Sequence, residues 1–199
     1  MIATESELIL VDNGSTDDTY LIMNEHANNT KYPVIIEKEL SKGLSRARNM
    51  GLYLSKGELI FFTDDDCYLE PGYIMKAMHI FKSEKYDYGG GQVVMHDKNV
   101  ANVSYNLFER RKVLEPGKFI PAGSIQGSSM IFRRHVIDEI GLFDSMLGVG
   151  TPFPCEDIDY VARASFAGFT GGKFPELIVR HDHGRKEGDE HKIILKKYD

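Results

Sequence analysis

Only two cysteines, Cys67 and Cys155, occur among the 199 residues. Two thiols make no disulfide framework, and their scarcity fits a reducing cytoplasm. Basic residues are also outnumbered: 24 Lys and Arg stand against 30 Asp and Glu, a formal net charge of -6. A general DNA or RNA binder shows the opposite balance, because phosphate backbones are met by Lys and Arg. Nucleic acid is therefore not an expected partner. The basic residues are scattered, apart from Arg110-Arg111-Lys112 and the stretch Lys192 to Lys197. No run reaches the roughly 18 apolar residues of a membrane span. The first seven residues, Met1 to Glu7, have neither the basic region nor the apolar run of a secretory signal. A soluble, cytoplasmic protein is expected, with the basic tail leaving room for contact with the inner face of a membrane. Repeats and low-complexity tracts are missing too, so one domain over 1–199 is expected.

What is present is an alternation of short apolar runs and helical patterns. Leu8 to Val11 reads as a buried strand that stops at the turn Asp12-Asn13-Gly14. Ser15 to Asp18 offers a helix start, and Tyr20 to Asn28 the helix body. Pro33 to Glu37 is the next strand, Gly43 to Ser55 the next helix, and Leu59 to Phe62 a third strand. Pro71 to Glu84 is a helix with its proline near the start. This order predicts right-handed crossovers and a Rossmann-like, three-layer α/β/α fold with a mainly parallel central sheet. The second half is less regular. Tyr88 to Met95 and Ser128 to Phe132 read as strands, Ala101 to Leu114 as helical, and Glu115 to Gly127 as a loop. Arg134 to Ile140 is a short helix ended by Gly141, Pro154 to Ala167 a further helix, and Pro175 to His181 the last strand. The residues after Gly184 form a charged tail.

Four groups of residues carry chemistry. Asp64-Asp65-Asp66 follows a buried apolar strand directly. Three adjacent carboxylates usually mark a solvated loop. In open α/β sheets, however, ligands bind beyond the carboxyl ends of strands, and clustered carboxylates there suit a hard divalent cation. Asp12 ends another strand; it is either a turn former or an acceptor for a nucleoside N–H or hydroxyl. Glu156-Asp157-Ile158-Asp159 opens a helix, where acids are ordinarily partners of the helix dipole; one of them could instead be a general base. His181 and His183 alternate at a strand end and so share a face, as surface residues or as metal ligands.

These pieces together resemble the family-2 glycosyltransferases. Val11-Asp12-Asn13-Gly14-Ser15-Thr16-Asp17 resembles that family's Val-Asp-Asp-Gly-Ser-Thr-Asp segment, and Gly43 to Gly51 its Gly-x-x-x-Ala-Arg-Asn-x-Gly helix. Gly57 to Asp66 is similar to its Gly-Glu strand and Asp-X-Asp motif. Gly127 to Arg134, Ile140 to Asp144 and Glu156 to Asp159, with Arg163 and Gly168, are similar to its later segments. Each motif alone is weak; six in the right order, over roughly residues 7 to 183, are specific.

The resemblance implies a GT-A fold, with a nucleotide-binding half at 1–95, an acceptor and catalytic half at 96–184, and the tail at 185–199. It implies a metal-dependent inverting transfer of a sugar from a nucleotide-diphosphate donor, a UDP-sugar first, to a sugar or lipid-linked acceptor. The setting it implies is polysaccharide or glycoconjugate synthesis. Asp12, Arg48, Asp64 and Asp65 would serve the nucleotide, and Gly127 and Ser128 the donor sugar. Asp66 and Asp64, with His183 or His181, would hold Mn²⁺ or Mg²⁺. Asp157 would be the base, with Glu156 beside it facing the acceptor. One departure stands out. The family begins with an earlier strand and helix, whereas seven residues precede Leu8. A split or non-catalytic subunit completed by a partner chain is the competing expectation, and an exposed strand edge would favour self-association.

Overall fold

The computed structural model describes residues 6–97 and 106–182. Its first strand, β1 (Leu8–Asp12), pairs in parallel with β2 (Val34–Lys38), from Leu8 opposite Val34 to Asp12 opposite Lys38. Helix α1 (Thr19–Asn29) connects them and buries none of its residues. Helix α2 (Leu44–Leu54) follows β2 and packs on β1, burying Ser45, Arg48 and Leu52. Then come β3 (Leu59–Phe62), β4 (Cys67–Leu69), α3 (Tyr73–Ser83) and β5 (Tyr88–Met95). The later elements are β6 (Lys112–Leu114), β7 (Met130–Arg133), α4 (Arg134–Ile140), α5 (Glu156–Phe166) and β8 (Gly171–His181).

The strands form two sheets. β1 and β2 stand as a pair, and the larger sheet runs β3-β7-β5-β8-β4, with β6 also on β8. β5 and β8 are parallel; β3 with β7, β5 with β7, β4 with β8 and β6 with β8 are antiparallel. Among the described residues, β1 and β3 each have a strand neighbour on one side only.

Side chains alternate across the larger sheet, as a pleated strand requires. On β7, Ile131 packs with Tyr73, Ala77, Ile80 and Phe81 of α3. Its neighbours Met130 and Phe132 face the other way, onto Val136 and Ile137 of α4 and Tyr160, Val161 and Ala164 of α5. Helices thus cover both faces, giving the expected three layers. β5 fits between β7 and β8 because its glycines let backbones close up. A Cβ on Gly91 would lie 2.2 Å from the Leu177 carbonyl oxygen, and one on Gly90 2.6 Å from that of Ser129.

Two expectations change. Residues 106–114 are not helical: Lys112–Leu114 is a strand whose backbone pairs with Gly171–Lys173. The reason is tertiary, since the early part of β8 offers an edge that no local pattern in 101–114 reveals; residues 101–105 lie outside the described residues. The last strand also starts at Gly171 rather than Pro175.

Candidate active site

The acid cluster sits where β3 ends and the chain turns into β4. Asp66 and His181 meet there because β4 pairs antiparallel with the end of β8, Cys67 opposite His181. His181 Nε2 lies 3.0 Å from Asp66 Oδ2. Donor atoms of Asp66, Cys67 and His181 all fall within 4.8 Å of one another. A carboxylate, an imidazole and a thiol converging at a strand end form a donor set that fits Mn²⁺, with the carboxylate and imidazole as its suited ligands. Burial, with Asp64 and Asp66 nearby, pushes the Cys67 thiol up to about 12. His183 lies outside the described residues. Asp65 is exposed.

Asp64 points the other way. Its Oδ1 lies 3.3 Å from Arg48 Nη2, and Arg48 Nη1 lies 2.6 Å from Glu156 Oε1. Arg48 and Glu156 are 8% and 6% exposed, so this contact is an interior ion pair. Burial pushes the Asp64 carboxyl above its ordinary range, and the Arg48 guanidinium opposes that. The guanidinium also lies over the Phe143 ring, 5.6 Å from its centroid. It is pressed against the 3₁₀ turn Gly127–Ser129 that leads into β7: a Cβ on Gly127 would sit 2.5 Å from Nη2. Glycine is the residue that fits there.

Asp157 follows Glu156 in the first turn of α5. Its Oδ2 accepts a hydrogen bond from the Gly127 N–H at 3.0 Å, and its Oδ1 one from the Ile158 N–H at 2.8 Å. Ser128 is buried. Behind it, Ser129 Oγ is 2.9 Å from the Tyr73 hydroxyl and accepts the Gly91 N–H at 3.0 Å.

At the end of β1 stand Asp12 and Asn13. Asp12 is buried and accepts the Ser15 N–H at 2.9 Å, the geometry of a turn former. Hydrogen bonding from Ser15 holds its carboxyl below the usual range. The Asn13 amide donates to the carbonyls of Glu39 and Ser41 and accepts the Gly43 N–H, so it fixes the entry to α2. An aspartate there could accept but not donate.

The structure thus gathers Asp64, Glu156, Asp157 and Gly127 around Arg48, and Asp66 with His181 beside them. Sequence reasoning missed Cys67 in the metal-ligand group and the bridging position of Arg48. No local pattern shows an ion pair between residues 108 apart in the chain. Glu156, expected beside the base and facing the acceptor, is buried with its Oε1 2.6 Å from the Arg48 guanidinium.

A three-layer α/β fold with clustered acids and a histidine beyond its strand ends is the architecture of the GT-A glycosyltransferases. Solved structures agree. The chain superposes on Staphylococcus aureus TarS residues 1–349 with a TM-score of 0.68 and 19% identity, covering 88% of this chain and 51% of that one. The mannosyltransferase PcManGT of Pyrobaculum calidifontis, solved with GDP-Man and Mn²⁺, matches at TM-score 0.67 and 17% identity, over 96% of this chain and 51% of that one. The family model for glycosyl transferase family 2 matches residues 3–141, and the chain belongs to that family. Among curated proteins, the glycosyltransferase AglE of Haloferax volcanii is 26% identical over 167 residues, 82% of this chain and 52% of AglE. An Escherichia coli enzyme, UDP-Glc:alpha-D-GlcNAc-diphosphoundecaprenol beta-1,3-glucosyltransferase WfaP, is 35% identical over 79 residues, 40% of this chain and 31% of WfaP. The chain spans about half the length of AglE. No helix among the described residues is long and apolar enough to cross a membrane.

Proposed function

We propose that this chain is the catalytic core of a metal-dependent, inverting glycosyltransferase that moves a sugar from a nucleotide-diphosphate donor to an acceptor hydroxyl. The observation that carries the reading is the juxtaposition of a base candidate, Asp157 on the Gly127 N–H, with the Asp66–His181 pair, bridged through Arg48 and Asp64. Asp66 and His181 would hold Mn²⁺ or Mg²⁺, with His183 a further candidate ligand. Bound there, a divalent ion would supply positive charge to offset that gained by the leaving diphosphate. Asp12 and Asp65 would face the nucleoside, and Gly127 and Ser128 the donor sugar. Asp157 takes the proton of the acceptor hydroxyl as the new bond forms, a role typically worth about 10²–10⁴ in rate. A single base opposite the leaving group gives inversion at the anomeric carbon. Donors of the UDP-sugar type come first, because neighbours in fold are solved with UDP, UDP-GlcNAc or UDP, GalNAc and Mn²⁺. The named relatives favour a sugar or lipid-linked acceptor in polysaccharide or glycoconjugate synthesis.

The test is release of nucleoside diphosphate from a panel of sugar nucleotides with Mn²⁺, with Asp157→Asn alongside. Turnover lost in that variant, with UDP and Mn²⁺ binding kept, supports the reading. Equal turnover in both refutes the role of Asp157. A second reading, a split subunit completed by another chain, is favoured by β1 and β3, each of which lacks a strand neighbour on one side among the described residues. In that case turnover appears only with a partner or at concentrations where the chain self-associates.

A further inference from the structure

We propose that Arg48 is a positioning residue of this site, which sets the metal-side acids and the base helix in one arrangement by ion pairing within the protein. Glu156 acts as its counter-ion and not as a group that meets the acceptor. The proposal rests on the reading above and adds an organising contact to it.

The argument begins with burial. A guanidinium that is 8% exposed must be compensated on several sides, because desolvating a charge is costly unless it is paired and hydrogen-bonded. Arg48 meets that demand with two carboxylates from distant parts of the chain, Glu156 Oε1 at 2.6 Å and Asp64 Oδ1 at 3.3 Å. Its Cζ lies over the Phe143 ring, 5.6 Å from the centroid. Its edge is in contact with Gly127, whose N–H is taken by Asp157. Four segments therefore meet at one side chain: α2, the acid loop after β3, the turn before β7 and the start of α5. The segments differ in role. Asp64 precedes the proposed metal ligand Asp66 by two residues, and Glu156 precedes the proposed base by one. Moving the guanidinium disturbs both ends together.

Gly148 lies against the other carboxylate oxygen of Glu156. That atom, Oε2, would lie 3.3 Å from a Cβ on Gly148, whose φ of 103° already favours glycine. The loop carrying Gly148 is tied to α2 by Ser45 Oγ donating to the Leu147 carbonyl at 2.7 Å and by the Leu44 N–H to the Val149 carbonyl at 3.0 Å. A lysine at position 48 would supply charge but not the planar fork that reaches two carboxylates at once.

The experiment uses the full chain and Mn²⁺ alone as the probe, read by electron paramagnetic resonance of free Mn²⁺. Wild type is compared with Arg48→Lys, Arg48→Met, Glu156→Gln and the pair Arg48→Lys/Glu156→Gln, each checked for folding by circular dichroism. Arg48→Lys is the variant to rely on if Arg48→Met does not fold. The expected result is a fall in Mn²⁺ affinity of about 10-fold in Arg48→Lys, the low end of the range for groups bonded directly to a ligand, because Arg48 acts on Asp66 through Asp64. Glu156→Gln should weaken binding in the same direction although it touches no proposed ligand, and the double variant should be no worse than the weaker single. A direct nucleotide contact, or a merely structural role, leaves Mn²⁺ affinity within about threefold in folded variants, and that overturns the proposal. A wild-type chain that binds no Mn²⁺ refutes the metal reading of the site instead. The clamp is then decided by the Nη signals of Arg48 in nuclear magnetic resonance: slow rotation that Glu156→Gln releases supports it, and free rotation in wild type overturns it.

Discussion

Replacing Gly127 by alanine should be harmful only because of Arg48. The backbone at Gly127 is not among the positive-φ glycines, so alanine can adopt its conformation. What it meets is the guanidinium: the new Cβ would lie 2.5 Å from Nη2 and 3.2 Å from Nη1 and Cζ. Ordinary contact needs about 3.5 Å or more, so Arg48 must retreat by about 1 Å. A flexible side chain usually does this cheaply. Here the retreat stretches the 2.6 Å bond to Glu156 or the 3.3 Å bond to Asp64. Overpacking costs about 1–3 kcal/mol, and alanine returns about 0.4–1 kcal/mol by restricting the unfolded chain. The two ranges leave a net loss between about 0 and 2.6 kcal/mol, centred on about 1.3, which at its centre is a fall in Tm of about 3–5 °C for a chain of this size. Arg48→Met removes the obstructing nitrogens. In that background the same glycine change should be neutral or stabilising by up to about 1 kcal/mol. The protein has no tryptophan, so urea unfolding is best followed by far-ultraviolet circular dichroism. A cost for Gly127→Ala that agrees in the two backgrounds within about 0.5 kcal/mol would refute the reasoning.

Other expectations follow from the same contacts. Gly91→Ala should cost more than about 3 kcal/mol, seen as loss of soluble folded protein, because its Cβ meets backbone, which cannot swing aside. Gly57→Ala, with its nearest neighbour at 3.5 Å, should stay within about 0.5 kcal/mol of wild type. Tyr73→Phe should lose about 0.5–1.5 kcal/mol at neutral pH through the bond to Ser129. Burial raises the Tyr73 phenol to about 12, so its contribution is present below 10.0 and lost as pH rises through about 12. An alkaline urea series should show that component vanish in the phenylalanine variant. Asp12 has the opposite sign. Its carboxyl is held below 3.8, so its contribution is present above that value and lost as pH falls through the lower one. Asp12→Asn should flatten the acid limb of stability, and an unchanged slope would show that Ser15 does not matter to it.

The sequence by itself determined β1 to β3, α1 to α3 and the positions of the acids, but not β4. Leu8–Asp12, Val34–Lys38 and Leu59–Phe62 begin in short apolar runs, and the helices between them show local patterns that packing and the Asn13 bond to Gly43 then hold. The acids at Asp64, Asp66, Glu156 and Asp157 were legible because runs of carboxylates at a strand end and a helix start are local features. Tertiary structure alone decided what those acids touch. Lys112–Leu114 became a strand because β8 offered an edge, and β4 brought Cys67 and Asp66 to His181 through a pairing more than 110 residues long in sequence. Glu156 turned inward because a guanidinium on α2 was there to meet it. The physical reason is the same in each case. Backbone pairing and buried charge must be satisfied by whichever group the packed chain brings within reach, and that group is set by the whole fold rather than by neighbours in sequence.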